Sequence, residues 1–382
     1  MLQFNCLLCS RIARFKNNLT MFNNRPNKAQ KGRGAVSNLK NRLDNEERVP
    51  EDDGWWNLED DLLAKFETQL RPDTSKTIIS HNTSPDIPFD RSINPYKGCE
   101  HGCIYCYARP THSYLGLSPG LDFETKIFFK ENAAVLLERE LRRQGYECKP
   151  IALGVNTDAY QPAEKELKIT RSILEVLSAY NHPVSIITKS SRILNDLDIL
   201  APMGQKSLVH VMISVTTLDP NLARSMEPRA SRPANRLATL KMLNEAGVPT
   251  GVLASPMIPA INDNELEAIL EASAKVGAVQ AGYLLLRLPF ELKELFRDWL
   301  RVHFPDRENR VLSLIRQCRE GSLNTAGFGV RMRGTGPYAD ILNKRYKLAC
   351  RRLKLNQRDE KWDFNCSLFK PPLRVGDQMT LI

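Results

Sequence analysis

Between Asn94 and Tyr114 the chain reads NPYKGCEHGCIYCYARPTHSY, which places three cysteines, Cys99, Cys103 and Cys106, within eight residues. Thiolates bind metals, so the spacing asks which metal. Offsets of four and seven would also put the three on one face of a helix, as core residues. Gly98 and Gly102 oppose that, since each costs a helix about 1 kcal/mol, and Lys97, Glu100 and His101 make a poor buried face. Structural zinc wants four ligands, usually as two separated pairs. His101 or His112 would have to supply the fourth, because Cys148, Cys318, Cys350 and Cys366 are scattered singly. An iron–sulfur cluster is the third reading. Three thiolates on a [4Fe-4S] cluster leave one iron open, which a catalytic metal needs and a structural one avoids. A glycine-bearing loop lets the backbone wrap such a cluster.

The elements that must carry this loop follow it in the sequence. From about residue 88, apolar runs of strand length alternate with helical patterns. Ser92–Tyr96 predicts a short strand ahead of the cysteines. Strands are then expected at Pro150–Val155, Val184–Thr188, Leu208–Val215, Thr250–Ser255 and Gln280–Leu286. Helices are expected at 131–144, 163–179, 191–200, 236–246, 263–275 and 292–302. Continuous apolar strands separated by helices imply a parallel sheet covered on both faces, joined by right-handed crossovers. Periodicity does not separate a doubly wound sheet from a barrel. Both place their chemistry at the C-terminal ends of the strands.

C-x3-C-x2-C with an aromatic residue before the last cysteine, CEHGCIYC, resembles the cluster motif of the radical S-adenosylmethionine (SAM) enzymes. NPYKGCEHGCIYCYAR, TDAYQPAE, TKSSRILNDLDIL, SVTTLD with EPRA, and SPMIPAIND resemble in that order the spore photoproduct lyase-like, or DNA repair photolyase-like, group, over about residues 88–290. The resemblance implies an α/β fold, a partial (β/α)6 TIM-like barrel, in which Cys99, Cys103 and Cys106 hold a [4Fe-4S] cluster. Its open iron would bind SAM, and reductive cleavage would yield a 5′-deoxyadenosyl radical. Reduced flavodoxin or a ferredoxin-type protein would be the electron donor. Asn156, Thr157 and Asp158 at the second strand end would contact the cofactor ammonium and ribose, Lys189 its carboxylate, and Ser214 its ribose or carboxylate. An Asx turn, a solvated lysine and a strand-end cap are the structural readings of the same positions. Glu164 reads as an ordinary first-turn acid, and Glu227 and Arg229 as functional ions or a rim salt bridge. One departure matters: photoproduct lyases carry a hydrogen-returning cysteine just before the strand-two Asp, whereas this chain reads Gly154-Val155-Asn156-Thr157-Asp158. The resemblance therefore suggests a lyase-type radical enzyme without naming its substrate or its catalytic residues.

Composition frames these expectations. The chain has 382 residues, 42% of them hydrophobic, a net charge of +10 and nine cysteines. An odd cysteine count in a long chain speaks for a reducing cytoplasmic setting, and no apolar run reaches transmembrane length. The basic excess favours a polyanion such as nucleic acid. A rival class is thus a nucleic-acid-binding protein with a structural Fe–S or zinc site. Residues 1–87 read as a loosely packed or disordered arm, basic then acidic, in which the adjacent Trp55 and Trp56 could dock on the core. Residues 88–304 read as the barrel and 305–382 as a basic helical extension. There RMRGTGPY and Arg345, Lys347, Arg351 and Arg352 are phosphate-binding candidates or a solvated face.

Overall fold

The computed structural model describes residues 29, 31–43, 67–357 and 363–373. Six parallel strands form its centre: β3 (Arg91–Ile93), β6 (Ile151–Leu153), β7 (Val184–Thr188), β8 (Val209–Ser214), β9 (Thr250–Met257) and β10 (Gln280–Leu285). They pair in chain order, and β2 (Ile79–His81) adds an antiparallel edge to β3. No pairing joins β3 to β10, so the sheet stays open. This is the mixed α/β, parallel-sheet arrangement of a partial barrel. A second sheet of three strands, β1 (Gln69–Pro72), β5 (Lys126–Phe129) and β4 (Tyr96–Lys97), flanks it.

The strands behave as their composition requires. Val209, Val211 and Ile213 of β8 are buried, and so are His210 and Ser214. Both faces of the strand are covered, so even its polar residues are out of water. The crossover helices bury one stripe each. In α4 (Ile169–Ala179) the stripe is Ile169, Ile173, Leu174 and Leu177, the spacing of an amphipathic helix. Helix α9 (Leu292–His303) buries Leu292, Leu295, Phe296, Trp299 and Leu300 against Ile104 and Tyr105 of the cysteine loop. Helix α10 (Glu308–Gln317) adds Val311, Leu312 and Ile315 to the same core. Helix α10, within the 305–382 stretch, therefore shares a core with the cysteine loop.

Several expectations need correction. Ser92–Tyr96 is not one strand: β3 stops at Ile93, and Tyr96–Lys97 pairs in the smaller sheet with β5. The helix expected over 163–179 breaks at Lys168, whose φ is +51°. The arm is not loose throughout. Arg33, Gly34, Ala35 and Val36 are buried, and residues 69–72 form an edge strand. Nothing in the apolar pattern signals this, because the anchoring runs through backbone amides. Trp55 and Trp56 lie outside the described residues. Among the described residues, no helix is long and apolar enough to cross a membrane.

Candidate active site

The cysteine loop runs from β4 to a 3-10 helix at Arg109–Leu115. It is not helical as a whole. Gly98 and Gly102 take φ values of +83° and +67°, left-handed conformations that glycine adopts without penalty. At Gly102 a Cβ would also meet Glu124 Oε2 at 2.8 Å. Short turns close the loop on itself: Gly102 N–H donates to the Cys99 carbonyl at 3.3 Å and Cys106 N–H to the Cys103 carbonyl at 3.2 Å. Cys99 and Cys103 are buried, Cys106 is half-buried, and none is in a disulfide. The three thiols influence one another electrostatically.

Three supports hold this loop. Arg109, fully buried, threads it from beneath. Its Nε donates to the Cys103 carbonyl at 2.8 Å and its guanidinium to the carbonyls of Gly102, Pro119 and Gly120. The same guanidinium pairs with Glu124, also fully buried. Glu124 in turn accepts from the arm, from Ala35 N–H at 2.8 Å and Gly34 N–H at 3.0 Å. The arm sits so close that a Cβ on Gly34 would lie 1.8 Å from the Gly102 carbonyl oxygen.

The second support comes from the end of β6. Gln161, fully buried, accepts from Glu100 N–H at 2.9 Å and donates to the Gly98 carbonyl at 3.2 Å. Asp158 faces His101 Nδ1 across 3.3 Å. It also accepts from Thr188 Oγ1 at 2.7 Å and Lys189 N–H at 2.8 Å. Burial alone would raise the pKa of Asp158. The His101 ring and these hydrogen bonds outweigh it and hold the carboxyl below the usual range.

The third support is the stretch after β8. Arg229 pairs with Glu100 at 3.0 Å, its N–H donates to the His101 carbonyl at 3.3 Å, and Ile104 N–H donates to the Met226 carbonyl at 3.0 Å. Beneath it Glu227 and Arg236 form a fully buried ion pair that also engages Thr216.

The residues expected at the strand ends divide into two groups. Thr157 Oγ1 donates to the Tyr96 carbonyl at 2.8 Å, and both oxygens of Asp158 are taken. These two brace the loop. Asn156 is fixed by its amide, which donates to Asn94 Oδ1 at 2.8 Å, and its side chain has no hydrogen-bond partner among the described residues. Lys189 has no carboxylate partner among them either. Its ammonium lies 5.8 Å from the centre of the Tyr105 ring and near enough to Cys103 to lower that thiol's pKa against the upward push of burial. Ser214 is buried, and its carbonyl accepts from Arg236 at 2.9 Å. Glu164 is no surface acid: it is buried and bonded to Tyr96 and to Thr170 N–H.

Sequence reasoning missed Arg109, Glu124, Gln161 and the loop-facing role of His101. Arg109 and Gln161 stand inside quoted motifs, so their positions were in view, but nothing local says that a polar side chain is buried.

The donor set suits a metal cluster. Burial pushes the Cys99 and Cys103 thiols up, so thiolates here need positive charge beside them, and Lys189 supplies only one cation. A bound metal deprotonates coordinating thiols outright. A single ion fits less well: among the described residues no three His, Cys, Asp or Glu side chains converge on one metal position. His101 faces Asp158, and His112 Nε2 is held 3.0 Å from the Lys126 carbonyl.

Known proteins bear on this geometry. The family model of the radical SAM superfamily matches residues 93–272. The chain belongs to the radical SAM superfamily. It is an enzyme of the radical SAM type, and these enzymes use a [4Fe-4S] cluster and SAM. An uncharacterized protein of Mycobacterium tuberculosis is 36% identical over 233 residues, 60% of this chain and 68% of that protein. One from Methanocaldococcus jannaschii is 31% identical over 173 residues, 45% of this chain and 62% of that protein. Among solved structures, spore photoproduct lyase complexed with dinucleoside spore photoproduct is similar in fold. Its TM-score is 0.52 at 15% identity, covering 74% of this chain and 79% of that one.

Proposed function

We propose that this radical SAM enzyme holds its [4Fe-4S] cluster on Cys99, Cys103 and Cys106, above a partial (β/α)6 barrel, and acts on a nucleic acid or nucleotide. The carrying observation is the loop itself. Three thiols, two of them buried, stand on one short loop braced by Arg109, Gln161 and Arg229, with an ammonium beside them that has no carboxylate partner among the described residues. When bound, the cluster supplies the electron that cleaves the SAM sulfonium to methionine and a 5′-deoxyadenosyl radical.

The chain's own residues do the positioning. Lys189 offers its ammonium to the cofactor carboxylate, and Asn156 offers an amide oxygen to the amino group. The buried Asp158–His101 contact fixes the height of the loop over the end of β6. Tyr105 and Ile104, packed on α9, exclude water from the thiols. The polyanionic substrate is supported by the net charge of +10 and by the fold shared with a lyase that binds a dinucleoside. The residues Gly154 to Asp158 contain no thiol, so dimer reversal by a cysteine at that position is not part of this reading.

Anaerobic reconstitution tests it. Iron and sulfide should give a cluster whose spectrum changes on adding SAM, with slow release of 5′-deoxyadenosine under dithionite. Cys103→Ala should hold no cluster. Tight zinc with no SAM effect would establish the structural-metal alternative instead.

A further inference from the structure

Two cavities open side by side at the carboxyl ends of β6 and β7, behind the cysteine loop. One, of about 420 Å³, is lined by His101, Arg192, Asn195, Arg229 and a serine pair, Ser191 and Ser231. The other, of about 320 Å³, is lined by Lys165, Lys168 and Arg171 and shares Arg192 and Asn195 with the first. Both lie in the size range of small-ligand sites. Together they form one groove with five basic side chains and two carboxylates on its walls.

Both carboxylates are already engaged. Asp196 takes Arg171 at 2.9 Å and Tyr160 at 2.9 Å; Glu164 takes Tyr96 and Thr170 N–H. Lys165, Lys168 and Arg192 have no carboxylate partner among the described residues. Arg229 keeps a third of its side chain exposed beside its contact with Glu100. The backbone contributes too: Lys168 holds φ at +51° between two helices, which sets it on the outside of the bend. The Ser191 and Ser231 hydroxyls are hydrogen-bonded to each other at 3.2 Å, which leaves one O–H of the pair to donate to an anion.

Of the cations that the sequence singled out near the C-terminus, three are engaged, while Lys347 and Arg351 lie on the exposed face of a helix and line neither cavity. Arg331 pairs with Asp86, Arg345 with Glu267 at 2.6 Å, and Arg352 with Glu271 at 3.5 Å. Neither ring that lines the groove is exposed for base stacking: Tyr160 is buried with its hydroxyl on Asp196, and His101 is buried against Asp158. We infer that the groove of Lys165, Lys168, Arg192 and Arg229 binds the phosphodiester backbone of a single nucleic-acid strand, without reading its bases, and leads it past His101 to the site. The inference rests on the proposed nucleic-acid substrate only for what happens to the bound strand.

The test is binding of a fluorescein-labelled oligothymidylate to the full chain, by anisotropy across a salt series. Each phosphate contact contributes about 0.7 to the slope of log affinity against log salt. Lys165→Ala/Arg192→Ala should make the slope shallower by about 1.4 and weaken binding of mixed sequences equally. Lys165→Arg/Arg192→Lys should restore it, which separates charge from misfolding. Lys347→Ala/Arg351→Ala on α11 (Gly336–Arg352) should leave it unchanged. No binding by the wild type, or a slope lost only in the α11 variant, overturns the groove. Because the assay does not read SAM cleavage, failure of the radical chemistry and failure of the groove are told apart.

Discussion

Glu124→Gln is the substitution that bears most directly on how the cysteine loop is held. Both Glu124 and Arg109 are fully buried. The carboxylate neutralises the guanidinium and caps the amides of Gly34 and Ala35. Glutamine keeps the shape and one oxygen but loses the charge, and its amide group then faces one of the two N–H donors. Removing one partner of a buried pair costs about 3–5 kcal/mol, and an orphaned amide about 1–3 kcal/mol. The two overlap, so the loss should lie at the upper end of about 3–5 kcal/mol. With a urea m-value of about 3 kcal/mol/M, the midpoint should fall by about 1.3–1.7 M. Tryptophan fluorescence can follow it, since Trp299 sits in the core shared with the loop. Hydrogen exchange should show Gly34 and Ala35 losing protection before the central strands. The apolar double variant Arg109→Met/Glu124→Leu should not recover the loss: no charge is stranded, but the Gly34 and Ala35 amides and the loop carbonyls held by Arg109 lose their partners. An unchanged midpoint with both amides still protected would refute the claim that this buried carboxylate ties arm to loop.

Lys189→Gln should weaken SAM binding by about 10- to 100-fold, as expected for losing a charged hydrogen bond of about 1.5–3 kcal/mol; equilibrium dialysis on the reconstituted protein checks it. Gly34→Val places a side chain where the Gly102 carbonyl already lies, so residues 31–43 should detach, and limited trypsin digestion should gain a cut after Arg33, whose side chain is buried in the wild type. Burial, the largest cause, pushes His112 and His182 down to about 4. Their folded values lie below the unfolded one of about 6.5, so the unfolded chain binds more protons between pH 6.5 and 4. Stability should therefore fall as pH drops through that window, by on the order of 1–3 kcal/mol for each histidine. Urea midpoints at pH 7 and 4.5 measure this, and His182→Phe should reduce the difference.

The sequence alone determined the strand–helix alternation, because strands covered on both faces are dominated by apolar and β-branched residues, as Val184–Thr188 and Val209–Ser214 are. It also marked the three thiols, because C-x3-C-x2-C is a local pattern with few uses. It could not say what supports them. Glu124, Gln161 and Arg109 look like surface residues until the fold removes water around them, and the partners of Glu124 lie 89 and 90 residues away. The arm shows the same limit: Gly34 and Ala35 are docked by backbone amides, which every residue but proline possesses. Charge is a third case. The sequence counts a basic excess, but only tertiary contacts decide which cations are spent on carboxylates, as Arg331 and Arg345 are, and which are left facing a groove, as Lys165 and Arg192 are.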